Sequence, residues 1–168
     1  MNPGMSKNYI LTGEVASKKL RRMAYEILEH NADEDGVILA GIKDHGSVIA
    51  RCIQKILGEI SSLPTELISL SLDKKNPSEV RLDPSVSFDN KVVIVVDDVS
   101  NSGKTLTYAL KPFLQSHPKK IQTLVLVERR HTAFPVQPDY VGLSVATTLQ
   151  EHIYVEVEGE DVVGAWME

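Results

Sequence analysis

Between Glu14 and Asn31 the apolar residues Ala16, Leu20, Met23, Ala24, Ile27 and Leu28 recur at helical spacing, with Lys18, Arg21, Arg22 and Glu29 on the other face. The pattern predicts an amphipathic helix behind a short amino-terminal arm. Val37 to Ile42 is a continuous apolar run and predicts a strand. Ser47 to Leu57 returns to helical period, and a second strand is expected near Leu67 to Leu72. Residues 73 to 90 carry two prolines and scattered charge without periodicity, which predicts a long flexible loop. Lys91 to Val96 is the strongest strand signal and runs directly into Asp97-Asp98. A helix from about Gly103 to Gln115 follows, and Pro112 is expected to kink it because its ring clashes with the carbonyl four residues back. Strands at Ile121 to Val127 and Tyr140 to Val145 precede a terminal hairpin formed by His152 to Val157 and Val162 to Trp166. Apolar strands without alternation are buried on both faces. Interleaved with helices, they predict the α/β class: a doubly wound, mainly parallel sheet with helices on both faces. Ligands of such sheets sit beyond the carboxyl ends of the strands, so the residues just after each strand are the candidates for chemistry.

The chain has 168 residues, 42% of them hydrophobic and 24% charged, which fits one soluble domain spanning residues 1 to 168. No apolar run approaches the roughly 20 residues that cross a bilayer, so no membrane partner is expected. Met1 to Lys7 lacks a secretory signal, and a cytoplasmic location is expected. Cys52 is the single cysteine, which excludes an internal disulfide and leaves no cysteine cluster for structural zinc. A net charge of -5 argues against a protein that coats nucleic acid non-specifically, though not against a local basic face.

The segment Val92 to Thr105 concentrates the chemistry. A buried strand delivers two adjacent carboxylates, Asp97 and Asp98, to a small polar loop that opens a helix. Backbone N–H groups of that loop, the hydroxyls of Ser100, Ser102 and Thr105, and the positive end of a helix suit a phosphate monoester. The carboxylates would repel an anion and must serve another part of the ligand, such as ribose hydroxyls or a bound magnesium ion. Gly103-Lys104-Thr105 matches the end of the P-loop motif, but the first required glycine falls at Asp98, where a carboxylate would intrude on the phosphate cradle. The plain alternative is an acidic pair and turn that only cap a strand and a helix. Two carboxylates closing a five-residue apolar run are an uncommon way to do so.

Val93 to Thr105 closely resembles the phosphoribosyl pyrophosphate signature of the type I phosphoribosyltransferases. The likeness extends through Ile38-Leu39-Ala40-Gly41-Ile42-Lys43 and Gly46, the segment Val125 to His131, Asp139-Tyr140-Val141-Gly142 and the first helix. Within that family it is similar to the bifunctional pyrimidine operon attenuators and uracil phosphoribosyltransferases. The resemblance implies the type I fold with a small hood. It also implies transfer of ribose 5-phosphate from phosphoribosyl pyrophosphate to a nucleobase, uracil first, with Mg2+ and release of pyrophosphate. Asp97, Asp98 and Lys43 would be the catalytic residues. Asp97 and Asp98 would bind the ribose 2- and 3-hydroxyls and meet the metal only indirectly. Ser100, Asn101, Ser102, Gly103, Lys104 and Thr105 would complete the phosphoribosyl pyrophosphate site; Lys43, Asp44, His45 and Gly46 would hold the pyrophosphate. Arg130 and His131 are the candidates beside the base, and a homo-oligomer, dimer or tetramer, is implied.

Several positions depart from the family pattern. Asn101 stands where purine-salvage members have an aspartate that accepts the base proton, which counts against hypoxanthine and guanine; uracil members usually have tyrosine there. Asp44 places a carboxylate beside the pyrophosphate loop, and His45, where a basic residue is usual, is expected to be mostly neutral at pH 7. Lys74, Lys75 and Arg81 are available for the basic position of the closing loop. Lys18, Lys19, Arg21 and Arg22 keep a basic helix, but Thr132 and Gln137 replace arginines common in the attenuators. Specific RNA attenuation is therefore not expected, since phosphate contacts need Lys and Arg in number. The competing class is a non-catalytic sensor that retains only the phosphoribosyl pyrophosphate or nucleotide site, or an RNA-binding regulator of pyrimidine genes.

Overall fold

The computed structural model describes residues 6–77, 79–83, 87–148 and 150–168. Its elements run β1 (Asn8–Thr12), α1 (Gly13–His30), β2 (Val37–Ile42), α2 (His45–Ile60), β3 (Thr65–Leu72), β4 (Val80–Asp83) and β5 (Val92–Ser100). After these come α3 (Lys104–Ala109), a 3-10 turn (Phe113–Gln115), β6 (Lys120–Arg129), β7 (Tyr140–Val145), β8 (Ile153–Glu158) and β9 (Asp161–Met167).

Six strands form one sheet in the order β4-β3-β2-β5-β6-β7, parallel except for β4 at the edge. Every residue of β2 is buried because successive side chains enter two different cores. Val37 and Leu39, with Ile94 and Val96 of β5, pack against Leu20, Met23 and Ile27 of α1 and Ile49, Ile53 and Leu57 of α2. Ile38, Ala40, Val93 and Val95 face Leu106 and Ala109 of α3 together with Phe88 and Phe113. Helices thus cover both faces, as the apolar runs predict. Thr12 caps α1 by accepting a hydrogen bond from the Val15 N–H at 3.2 Å.

Three expectations are corrected. The helix expected from Gly103 to Gln115 stops at Ala109. Pro112 ends it instead of kinking it: Leu110 and Lys111 bond back three residues, to Thr107 and Tyr108, and the chain continues as the 3-10 turn. The segment 73–90, expected to be a loop, contains β4, whose alternating half-buried and exposed residues pair antiparallel with Ser69 to Leu72. Ser78 and residues 84–86 of it lie outside the described residues, as do the first five residues of the arm. The remainder of the arm is β1, which joins the expected terminal hairpin in a second sheet of order β1-β9-β8. Leu11, Val155 and Ala165 of this hood enter the core beneath α1 and α2.

Tyr140 is wholly buried behind α1, donating its hydroxyl to Gln122 Oε1 at 2.9 Å. Burial pushes its phenol from an ordinary value near 10 up to about 12. Above pH 10 the unfolded chain releases this proton while the folded one keeps it, so stability falls from there to about pH 12. Tyr140→Phe is expected to cost about 1 kcal/mol at neutral pH through the lost hydrogen bond. The variant should lose less stability than the wild type across the alkaline range. Melting curves from neutral to strongly alkaline pH test this, and parallel alkaline losses in the two proteins would refute it.

Candidate active site

From β2 the chain winds through α2 outward to β3, whereas from β5 it winds through α3 to β6 on the other side, with α2 and α3 on opposite faces. The crevice between the carboxyl ends of β2 and β5 is therefore the topological switch point. Gly41 lies level with Val96, which sets the loop after β2 beside Asp97 and Asp98. Gly46 makes that proximity tight: a Cβ there would stand 2.5 Å from the Val96 carbonyl oxygen and 3.1 Å from Asp97 Cα. Lys43 and Asp44, joined by a cis peptide bond, are exposed in this loop. His45 Nδ1 lies 3.3 Å from Asp98 Oδ2.

β5 extends past its apolar run to Ser100, so both carboxylates belong to the strand. Asp97 is only 1% exposed, and its Oδ1 accepts the Asp98 N–H at 2.9 Å. Asp98 Oδ1 accepts the Val99 N–H at 2.8 Å. Lys74 reaches over from the segment after β3, with Nζ 3.1 and 3.3 Å from the two Asp97 oxygens and 3.6 Å from Asp98 Oδ1. Burial and the adjacent Asp98 charge push the Asp97 carboxyl well above the usual carboxylate range, with Lys74 pulling against them. Burial also acts to raise Asp98, but the hydrogen bond from His45 and the Lys74 charge outweigh it and hold this carboxyl well below the usual range. The same hydrogen bond raises His45. The shift gives His45 more positive charge than an ordinary histidine, which partly offsets Asp44 beside the crevice.

Beyond the carboxylates the chain folds around a cavity of about 240 Å³ lined by Lys74, Asp97 and the run from Val99 to Leu106. Ser100 is buried and level with Glu128 of β6, whereas Asn101 is exposed at the rim. Gly103 has φ 84°, where L side chains are strained, and a Cβ would meet the Val136 carbonyl at 2.9 Å. The Ser102 carbonyl accepts the N–H groups of Ala133 and Phe134 at 2.9 and 3.0 Å, tying the loop to the segment after β6. Since α3 has only six residues, the anion-binding capacity here rests on loop N–H groups and hydroxyls more than on a helix dipole.

The phosphoribosyl transferase domain model matches residues 7–159. The chain belongs to the phosphoribosyl transferase family. It is 36% identical to the bifunctional protein PyrR of Clostridium acetobutylicum over 92% of this chain and 93% of that one. Identity is 35% to the bifunctional protein PyrR of Streptococcus thermophilus, covering 95% and 96% of the two chains. Among solved structures, the hypoxanthine phosphoribosyltransferase of Trypanosoma cruzi superposes with a TM-score of 0.80 at 17% identity, covering 97% of this chain and 98% of that one.

In this phosphoribosyl transferase the fold brings together Lys74, Asp97, Asp98, His45 and the Ser100 to Thr105 loop. Arg130 and His131 are engaged elsewhere. Arg130 Nε donates to Ser144 Oγ at 2.9 Å on neighbouring β7, and His131 Nε2 lies 2.9 Å from the Thr147 carbonyl. Arg129, which the sequence reading passes over, is buried and donates to Thr148 O at 2.6 Å, so it and His131 hold the loop after β7 against the end of β6. The contact of Lys74 with the carboxylates has no signature in the sequence beyond a lysine in an aperiodic segment. On α1, Lys18 pairs with Glu14 at 3.3 Å, Arg21 with Glu59 at 3.2 Å, and Arg22 with Glu26. Among the described residues no helix is long and apolar enough to cross a membrane.

Proposed function

We propose that this phosphoribosyl transferase moves ribose 5-phosphate from phosphoribosyl pyrophosphate to a pyrimidine, with uracil as the accepting base, and that it does so in the cytoplasm as a homo-oligomer. The observation that carries the reading is that Asp97, next to Asp98, lines the same cavity as Ser100, Ser102 and Thr105: one ligand with a diol and a phosphate satisfies both. In this reading Asp97 and Asp98 accept hydrogen bonds from the ribose 2- and 3-hydroxyls. The N–H groups and hydroxyls of Ser100 to Thr105 take the 5-phosphate, and the Lys43 to Gly46 loop takes the pyrophosphate.

The C1–oxygen bond breaks with its electron pair leaving on pyrophosphate, and the base nitrogen bonds to C1. Positive charge develops on the sugar near two carboxylates that are already in place, so preorganised electrostatics and alignment account for the rate. Among the described residues no cluster of three or more His, Cys, Asp or Glu could hold a metal ion. Asp97 and Asp98 would meet a substrate-borne Mg2+ only indirectly. When bound, it would supply charge neutralisation to the leaving group.

Two features support a pyrimidine. Asn101 cannot accept a proton from a purine, and the two relatives compared above at 35% and 36% identity bear the name bifunctional protein PyrR, whereas the hypoxanthine enzyme matches at fold level. A role for Arg130 and His131 beside the accepting base would require each to leave its present contact with Ser144 or Thr147. The likeness to the attenuators raises a second role on RNA, but Thr132 and Gln137, where those proteins commonly have arginine, support a protein without specific RNA attenuation. Incubation with Mg2+, phosphoribosyl pyrophosphate and a panel of bases tests the proposal. Pyrophosphate release is expected with uracil; release with hypoxanthine or guanine instead would refute the pyrimidine assignment. Thermal stabilisation without turnover would favour the sensor. Tight, salt-sensitive gel shifts of a pyrimidine leader transcript would overturn the reading on RNA.

A further inference from the structure

Lys74 lies between β3 and β4, outside any helix or strand, yet its ammonium contacts both oxygens of Asp97 and one of Asp98. Asp97 lines the cavity while being 1% exposed, and Lys74 lines the same cavity. The carboxylates that would receive a sugar diol are thus already satisfied by a cation of the chain itself. A buried carboxylate stripped of its counter-ion is costly, so any diol must both replace that contact and leave the ammonium somewhere favourable. The chemistry of the sugar decides whether it can. C1 and C2 are bonded neighbours, so the substituent on C1 is the nearest ligand group that can receive an ammonium displaced by the 2-hydroxyl; without an anion there, the half-exposed Lys74 must return to water. Phosphoribosyl pyrophosphate presents a polyanion there. Ribose 5-phosphate and a nucleoside monophosphate present an uncharged group.

We propose that Lys74 determines specificity by occupying the diol site of the free protein and yielding readily only to a ligand that brings its own anion at C1. The substrate is thereby favoured over the nucleotide product that shares its sugar and 5-phosphate. This inference rests on the function proposed above.

Calorimetric titration of the full chain and of Lys74→Met, both with Mg2+, tests it using phosphoribosyl pyrophosphate, ribose 5-phosphate and uridine monophosphate. The variant should bind the two monophosphates about tenfold more tightly and phosphoribosyl pyrophosphate about tenfold more weakly, the scale of one charge-assisted hydrogen bond. An unchanged ratio of affinities, with phosphoribosyl pyrophosphate still bound, would overturn the role of Lys74 and leave the proposed function standing. Failure of the wild type to bind phosphoribosyl pyrophosphate would overturn both. Should Lys74→Met not fold, the wild type alone decides. Magnesium pyrophosphate should tighten ribose 5-phosphate about tenfold by rehousing the ammonium, and no change or weaker binding would refute the proposal.

Discussion

Asp98→Asn is expected to lower kcat/KM for phosphoribosyl pyrophosphate about a hundredfold, or about 2.7 kcal/mol of transition-state stabilisation, while leaving the fold intact. Asparagine keeps the shape, and its carbonyl can still accept the Val99 N–H that Asp98 Oδ1 accepts at 2.8 Å. What disappears is a charge held fully ionised at neutral pH by His45 and Lys74. A sugar hydroxyl donating to a neutral amide gains roughly half as much as one donating to a carboxylate, and the developing positive charge on the sugar loses an anion beside it. Asp97 compensates in part, because the neighbouring charge that pushes its carboxyl up is gone. The measurement is pyrophosphate release against donor concentration, with melting curves to verify the fold. Unchanged kinetics would show that the sugar binds elsewhere.

Gly46→Ala should damage both stability and activity. Its Cβ would fall 2.5 Å from a carbonyl of the central strand and 3.1 Å from Asp97 Cα, and neither backbone atom can rotate aside. The start of α2 must therefore withdraw from β5. Overpacking of this kind costs about 2 kcal/mol, which lowers the melting temperature by roughly 4 to 8 °C in a chain of this size. His45, adjoining Gly46, moves off Asp98, and the loop proposed for pyrophosphate loses its position relative to the carboxylates. Activity should fall at least about tenfold, since a displacement of about 1 Å misaligns groups that act by placement. A melting temperature and activity equal to those of the wild type would contradict the close approach.

The sheet and the carboxylate loop were legible because their signals are local. Val92 to Val96 is apolar at every position, which only a strand covered on both faces tolerates, and the acidic pair follows without interruption. The pairing of His45 with Asp98 was within reach of the topology, since parallel β2 and β5 bring their following loops together. Its consequence for the charge of His45 was not, because that depends on a 3.3 Å contact between residues 53 apart. β4 escaped notice because a four-residue edge strand with charged residues at alternate positions resembles a turn-rich loop. The short α3 shows the opposite failure: Leu106, Leu110 and Phe113 keep helical spacing after the backbone has changed, because a 3-10 turn returns Phe113 to the same core as Leu106. Lys74 was visible only as one lysine among several; its partners lie 23 and 24 residues away and are found through the sheet.

The order β1-β9-β8 also bears on the timing of synthesis. The middle strand of the hood is Asp161–Met167, and its pairing sets Asn8 opposite Met167. On a ribosome the strands from β2 to β7 can zip together as they emerge, with the paired carboxylates already seated between them. β1 has no neighbour to bond until the last strand has left the exit tunnel, and β8 cannot form its hairpin before then. A nascent chain can therefore assemble the carboxylate-bearing sheet before its hood, and the segment Asn8 to Thr12 waits unpaired until Asp161 to Met167 has been made.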